Sequence, residues 1–160
     1  MNTKRSRIIC RSAVIPELAL AAALLIAPAA SAPAQSMFMS DPAAQIIYEF
    51  GSPLTPGSPP SVFASGLNSP FGIAFDESGN LYEADYNSGN VYKFKASAGN
   101  PKSLFASGLA GPFAVACDSA GNVYVGCDGN NNTNPNITKI TPGGSQTIFV
   151  SSWGGRRHFG

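Results

Sequence analysis

From about residue 60 onward, hydrophobic and polar positions alternate in short runs, and each run ends in Gly, Asn, Asp or Pro. Period-two alternation bounded by such residues is the pattern of short strands joined by tight turns. Residues 71–75 (FGIAF) predict one strand, and Asp76-Glu77-Ser78-Gly79-Asn80 turns the chain. Residues 81–85 (LYEAD) return, and Asn87-Ser88-Gly89 turns it again. Residues 91–94 (VYKF) are a third strand; after Gly99-Asn100-Pro101, residues 103–106 (SLFA) are a fourth. The same order begins again at Phe113. Long amphipathic helical segments are missing from this part of the chain.

The amino-terminal pattern is different. Lys4, Arg5, Arg7 and Arg11 precede an apolar run over residues 18–27 (LALAAALLIA), which Pro28 ends. Ala32-Pro33-Ala34 fits the small-x-small pattern of a cleavage site, with Gln35 as the first mature residue. A basic stretch, an apolar core and small residues form a secretory signal, predicted as a helix over residues 1–34. Ten apolar residues span roughly 15 Å as a helix, about half a bilayer core, which is too short for an anchor. Cys10 lies before the apolar run, so it is not placed as a lipid-anchor cysteine. Signal cleavage predicts a periplasmic or extracellular protein with no membrane attachment.

A repeat organises the remainder. Residues 62–82 (VFASGLNSPFGIAFDESGNLY) and 104–124 (LFASGLAGPFAVACDSAGNVY) align without a gap at an offset of 42, with 12 of 21 positions identical. The period extends outward: residues 90–94 (NVYKF) match 136–140 (NITKI) and, earlier, 47–50 (IYEF). Four short strands in a repeat of this length are a propeller blade. The boundaries predicted are a linker at 35–44, blades over 45–152 and an irregular tail at 153–160. Shared residues have structural work to do. Gly79 and Gly121 supply the positive φ of a tight turn. Asp76 and Asp118 are placed to accept from backbone N–H groups a few residues on. Pro70 and Pro112 stiffen the strand entry. The repeated aromatics Phe63, Phe105 and Phe149, Phe71 and Phe113, and Tyr82 and Tyr124 are expected to fill the layer between blades.

Composition narrows the function classes. Only 12% of residues are charged, and 10 Lys and Arg stand against 9 Asp and Glu. Removing the signal takes four basic residues and Glu17, leaving a net charge near −2. Nothing in that balance steers the chain toward nucleic acid or an anionic membrane. The 126 mature residues hold at most three units of 42, whereas closed propellers use about 4–8 blades. The repeat stops abruptly after residue 152, as in a truncated or frame-shifted gene. The expected fold is therefore all-β: an open arc of two to three four-stranded antiparallel blades, marginally stable alone or completed by self-association.

The stretch from Pro70 to Tyr82 (PFGIAFDESGNLY), and its counterpart from Pro112 to Tyr124, resembles the NHL repeat. It is also similar to repeats of gluconolactonase-like and strictosidine-synthase-like six-bladed propellers. Gluconolactonase-like resemblance implies acidic and Asn ligands around a central divalent metal, one typical ligand being the Asn of a Pro-Asn-Asp stretch. Here those positions read Pro70-Phe71-Gly72 and Pro112-Phe113-Ala114, so that ligand is absent from both. Glu83 and Asp85 are candidates to face the axis, but Val125 and Cys127 match them in the next unit. A hard cation wants about six converging oxygens, so no metal and no cofactor are expected. The streptogramin-lyase-like propellers rely on histidine, and the one histidine here is His158, near the end. No catalytic residues are therefore assigned.

Cys117 and Cys127 remain after signal cleavage. If Cys117 pairs with Val123, Phe113 faces Cys127, and the thiols stand roughly 13 Å apart along the hairpin. A disulfide needs Cα atoms within about 7 Å, so two separate thiols are expected. Asn131-Asn132-Thr133 and Asn136-Ile137-Thr138 match the glycosylation pattern. Three readings follow. The first is a secreted, non-catalytic interaction module; the second is a truncated or degenerate relative of a metal-dependent lactone hydrolase; the third is a non-functional fragment. Lost ligand positions on a kept blade framework favour the module. Its binding residues are sought where the units differ most, in the turn of Asp85, Tyr86 and Asn87 and the loop of Asp128, Asn130 and Asn131. A protein or glycan is the expected partner, or a second copy.

Overall fold

The computed structural model describes residues 36–51, 54–129 and 134–151. These residues are all-β and hold no helix. The stretches read as a signal, 1–34, and as a tail, 153–160, lie outside them. Three antiparallel sheets follow one another, none of them closed. The first holds β1 (Met37–Asp41), β2 (Ile46–Phe50) and β3 (Ser61–Ala64). The second runs β4 (Pro70–Phe75), β5 (Leu81–Asp85), β6 (Asn90–Phe94), β7 (Lys102–Ala106). The third runs β8 (Pro112–Cys117), β9 (Val123–Cys127), β10 (Asn136–Ile140), β11 (Gln146–Ser151). Each sheet is a meander of neighbouring strands, and β4 of the second packs against β8 of the third. This is a partial, open β-propeller with its blades stacked face to face.

The residues read as a linker, 35–44, contain β1. It pairs with β2 in register, Met37 opposite Phe50 and Asp41 opposite Ile46. Leu81 opposite Phe94 and Asp85 opposite Asn90 repeat that register in the second blade. Only Asp41 and an aromatic at Phe38 link MFMSD to LYEAD, too little for the repeat to announce itself in sequence.

The turn between the first two strands of a blade explains most of the repeat's identity. Asp76 Oδ1 accepts from the N–H groups of Ser78 and Asn80, both at 2.9 Å. Its Oδ2 accepts from the Asn80 amide at 2.7 Å and the Tyr82 hydroxyl at 3.3 Å. Asp118 does the same with Ala120, Asn122 and Tyr124. Gly79 and Gly121 both sit at φ 78°, where a side chain is strained. One carboxylate thus satisfies four donors, and D-x-x-G-N-x-Y is the sequence that allows it.

Strand alternation then divides the core. On β5, Leu81 enters the layer between the first and second blades, with Ile47, Leu67 and Phe94. Its neighbour Tyr82 enters the layer between the second and third, with Val91, Val123, Val125 and Ile140. All five residues of β5 are buried because a blade covers each face. On β9 only alternate residues are buried, because one face is open. The aromatics only partly fill these layers. Phe38–Phe75 and Phe63–Phe94 cross from blade to blade at 5.0 and 5.5 Å between ring centroids. Tyr82–Phe105 and Tyr124–Phe149 are edge contacts within one blade. Phe71 and Phe113 remain 45% and 39% exposed, so this pair is not closed into the layer as expected.

Cys117 and Cys127 are both free thiols. Cys117 faces Val123, as the hairpin predicts, but a bulge between Pro112 and Ala114 puts Pro112 rather than Phe113 opposite Cys127. The separation along the strand is preserved.

Candidate binding rim

The predicted site residues lie where the second strand of a blade turns into the third. The structure gives them different jobs. Asp85 is 1% exposed. Its Oδ2 accepts from the Asn68 N–H at 2.7 Å and its Oδ1 from the Ser88 N–H at 3.3 Å. The carboxylate therefore braces its own turn against the segment leading into β4, and is not presented to solvent. The Tyr86 and Asn87 N–H groups donate to the carbonyls of Ser69 and Asn68 at 3.0 and 3.1 Å. In the third blade Asp128 and Gly129 donate in the same way to Gly111 and Ala110. The two turns are built alike, and they end on one rim.

Side chains then join them. The Tyr86 hydroxyl donates to the Asp128 carboxylate, across 42 residues of sequence and from one blade to the next. That hydrogen bond, with some burial and the neighbouring negative charge, pushes the Tyr86 phenol above its ordinary pKa. Phe71 meets the Tyr86 ring edge-on, 5.3 Å between centroids. The Asn87 amide donates to Ser69 Oγ at 2.8 Å. Ser69 holds φ 64°, a left-handed conformation where the next blade has Gly111 at the same angle. A non-glycine residue held there marks local strain beside the rim. Asn68, Asn87 and Ser88 are exposed. Asn130 and Asn131 lie outside the described residues.

The rim thus presents an aromatic pair, two amides and an acid. Tyr86, Asn87 and Asp128 come together as the sequence suggests. Asn68, Ser69 and Phe71 were missed, although Asn68-Ser69 aligns with Ala110-Gly111 at two adjacent mismatches among the nine in the aligned repeats.

A lactonase-like metal centre does not fit these residues. Strand-entry positions 71 and 113 carry phenyl rings, and the oxygens of Asp85 are taken by backbone N–H groups. Glu83 is 0% exposed on the Leu81 face of β5, its two carboxylate oxygens without a hydrogen-bond partner. Among the described residues no three His, Cys, Asp or Glu side chains gather as a metal-holding group. No helix among them is long and apolar enough to cross a membrane.

The blade architecture matches solved six-bladed propellers. A chain of a nidogen/laminin complex is similar over 74% of this chain and 48% of its own length, with TM-score 0.56 and 23% identity. Virginiamycin B lyase from Staphylococcus aureus is similar over 72% of this chain and 37% of its own, with TM-score 0.54 and 16% identity. A gluconolactonase from Xanthomonas campestris is similar over 68% and 35%, with TM-score 0.53 and 22% identity. The chain spans less than half the length of each. At these identities the likeness is one of fold, and the fold serves both binding proteins and enzymes. The sequence matches no protein-family model and no curated protein.

Proposed function

We propose that the chain is a secreted, non-catalytic binding module built on NHL-type propeller blades, and that the rim of Asn68, Phe71, Tyr86, Asn87 and Asp128 contacts a protein or glycan. The observation that carries this reading is the Tyr86–Asp128 link. It fixes the two turns that differ most between repeats into one surface, beside a half-exposed Phe71 and the exposed residues Asn68 and Asn87, whose amides bond to each other and to Ser69. A half-exposed ring to pack against, with amides and a carboxylate around it, suits a polar partner with apolar faces. The basic and apolar pattern of residues 1–34 supports export.

The test is a screen of the exported chain against immobilised glycans and secreted proteins, repeated with Phe71→Ala and Tyr86→Ala. Either substitution is expected to weaken any specific binding by about tenfold, the loss of a well-packed aromatic anchor. Turnover of a sugar lactone with added divalent cation, abolished by Glu83→Gln, would instead establish the hydrolase reading. Amino-terminal sequencing of the exported product should begin at Gln35.

A further inference from the structure

The rim contains a polar pair that the repeat does not need. Asn68 and Ser69 stand where the next blade has Ala110 and Gly111, and both blades make the same backbone hydrogen bonds there. Ser69 holds φ 64°, and Gly111 holds the same angle without a side chain. Glycine would serve this turn with less strain, so the serine hydroxyl is kept against the preference of its own backbone. That hydroxyl accepts from the Asn87 amide at 2.8 Å.

The bond orients two amides. Asn87 Nδ2 also donates to Asn68 Oδ1, at 3.4 Å, so its hydrogens are used within the protein. Asn87 Oδ1 and Asn68 Nδ2 have no hydrogen-bond partner among the described residues, and both residues are exposed. The pair offers one acceptor and one donor. Phe71, 45% exposed, is braced by the Tyr86 ring of the same turn, which Asp128 holds in place.

Charge restricts the occupant. The four lysines among the described residues lie elsewhere: Lys93 on Asp76, Lys95 in a groove with Glu49, Lys102 on the Gly66 carbonyl and Lys139 over Tyr124. Those residues include no arginine. The charges of the rim are acidic, Asp85 and Asp128, so an anionic ligand finds no counter-charge. Size restricts it further. A protein partner needs roughly 800 Å² on each side around an apolar centre. Here one half-exposed ring stands among amides and hydroxyls.

We infer that the rim binds a neutral pyranose sugar. The C–H face of the sugar packs on Phe71, and two neighbouring hydroxyls meet the amide pair, one donating to Asn87 Oδ1 and the other accepting from Asn68 Nδ2. A vicinal diol presents a donor and an acceptor side by side, as the pair requires. Ser69 is a positioning residue that acts through Asn87. The inference rests on the rim reading and adds the class of ligand and the residues that select it.

The test titrates the exported chain with neutral oligosaccharides of gluco, galacto and manno configuration and with the matching uronates. Affinity is followed by calorimetry, and the side-chain amides of Asn68 and Asn87 by nitrogen-15 NMR. A neutral sugar should shift both amide signals and bind about tenfold tighter than its uronate, which meets like charge. Asn68→Ala should weaken it by about tenfold, the loss of one good hydrogen bond. Ser69→Gly should weaken it similarly while stability to urea stays close to native, a split that a merely structural serine would not give. Failure of every neutral sugar to shift the two amides, uronates bound as tightly, or native affinity in both variants would overturn the inference. A secreted protein bound in place of sugars, and lost in Phe71→Ala, would also overturn it but leave the rim reading standing. Binding that Phe71→Ala and Tyr86→Ala leave untouched would remove both.

Discussion

Glu83 is the residue most at odds with its surroundings. The repeat places Met39 and Val125 at the same position, so the blade needs a hydrophobic side chain there. Burial first, and then the charge of Asp85, push the Glu83 carboxyl up from 4.5 to about 8, with Lys102 pulling the other way. The unfolded chain releases that proton near 4.5. Between pH 4.5 and 8 the folded state therefore holds a proton that the unfolded state gives up. Stability is full below this window and falls as pH rises through it. Asp118 acts in the opposite sense: the Asn122 amide and backbone donors hold its pKa below 3.8, so its contribution is lost as pH falls through the lowered value. Chemical denaturation should place maximal stability in mildly acidic solution. Glu83→Met should remove the decline between pH 4.5 and 8 and raise stability near pH 8 by about a few kcal/mol, on the order expected for relieving a buried unpaired carboxylate. An unchanged pH profile in this variant would show that Glu83 is solvated in solution.

At the scale of elements, the close approach of β4 and β8 sets the stacking. A Cβ at Gly72 would lie 2.7 Å from Ala114 Cα and 2.9 Å from Phe113 O and Val115 N, all backbone atoms that have no rotamer to move. Gly72→Ala should therefore separate the two inner strands and lower stability by about 1–3 kcal/mol, as overpacking does. Gly126 faces only side chains at 3.4 Å and beyond, and Ala84 already fills its place in the second blade. Gly126→Ala should be close to neutral in the same urea titration, which separates crowding at the inner strands from a general intolerance of added methyl groups. The bulges between the last two strands of each sheet, at Ile47/Tyr48, Val91/Tyr92 and Ile137/Thr138, recur in all three sheets. They belong to the blade itself, since bulges re-aim a strand where twist must increase.

For the whole molecule, two hydrophobic layers hold three sheets, and each layer depends on both of its blades. A stack of this kind gains stability from every interface it adds.

The blade was legible in the order of residues: its period, its strands within a residue or so, the turn that Asp76 and Gly79 build, and the separation of the thiols. These features rest on neighbours in the chain, on alternation that decides which side is buried and on carboxylates that reach a few residues forward. Tertiary structure alone decided that Met37–Asp41 is a strand, that Asp85 braces a turn while Tyr86 reaches Asp128, and that Phe71 stays half exposed. Those outcomes depend on how one blade seats on the next. Packing between sheets accepts many side chains of suitable size, so it leaves only a faint mark on the order of residues.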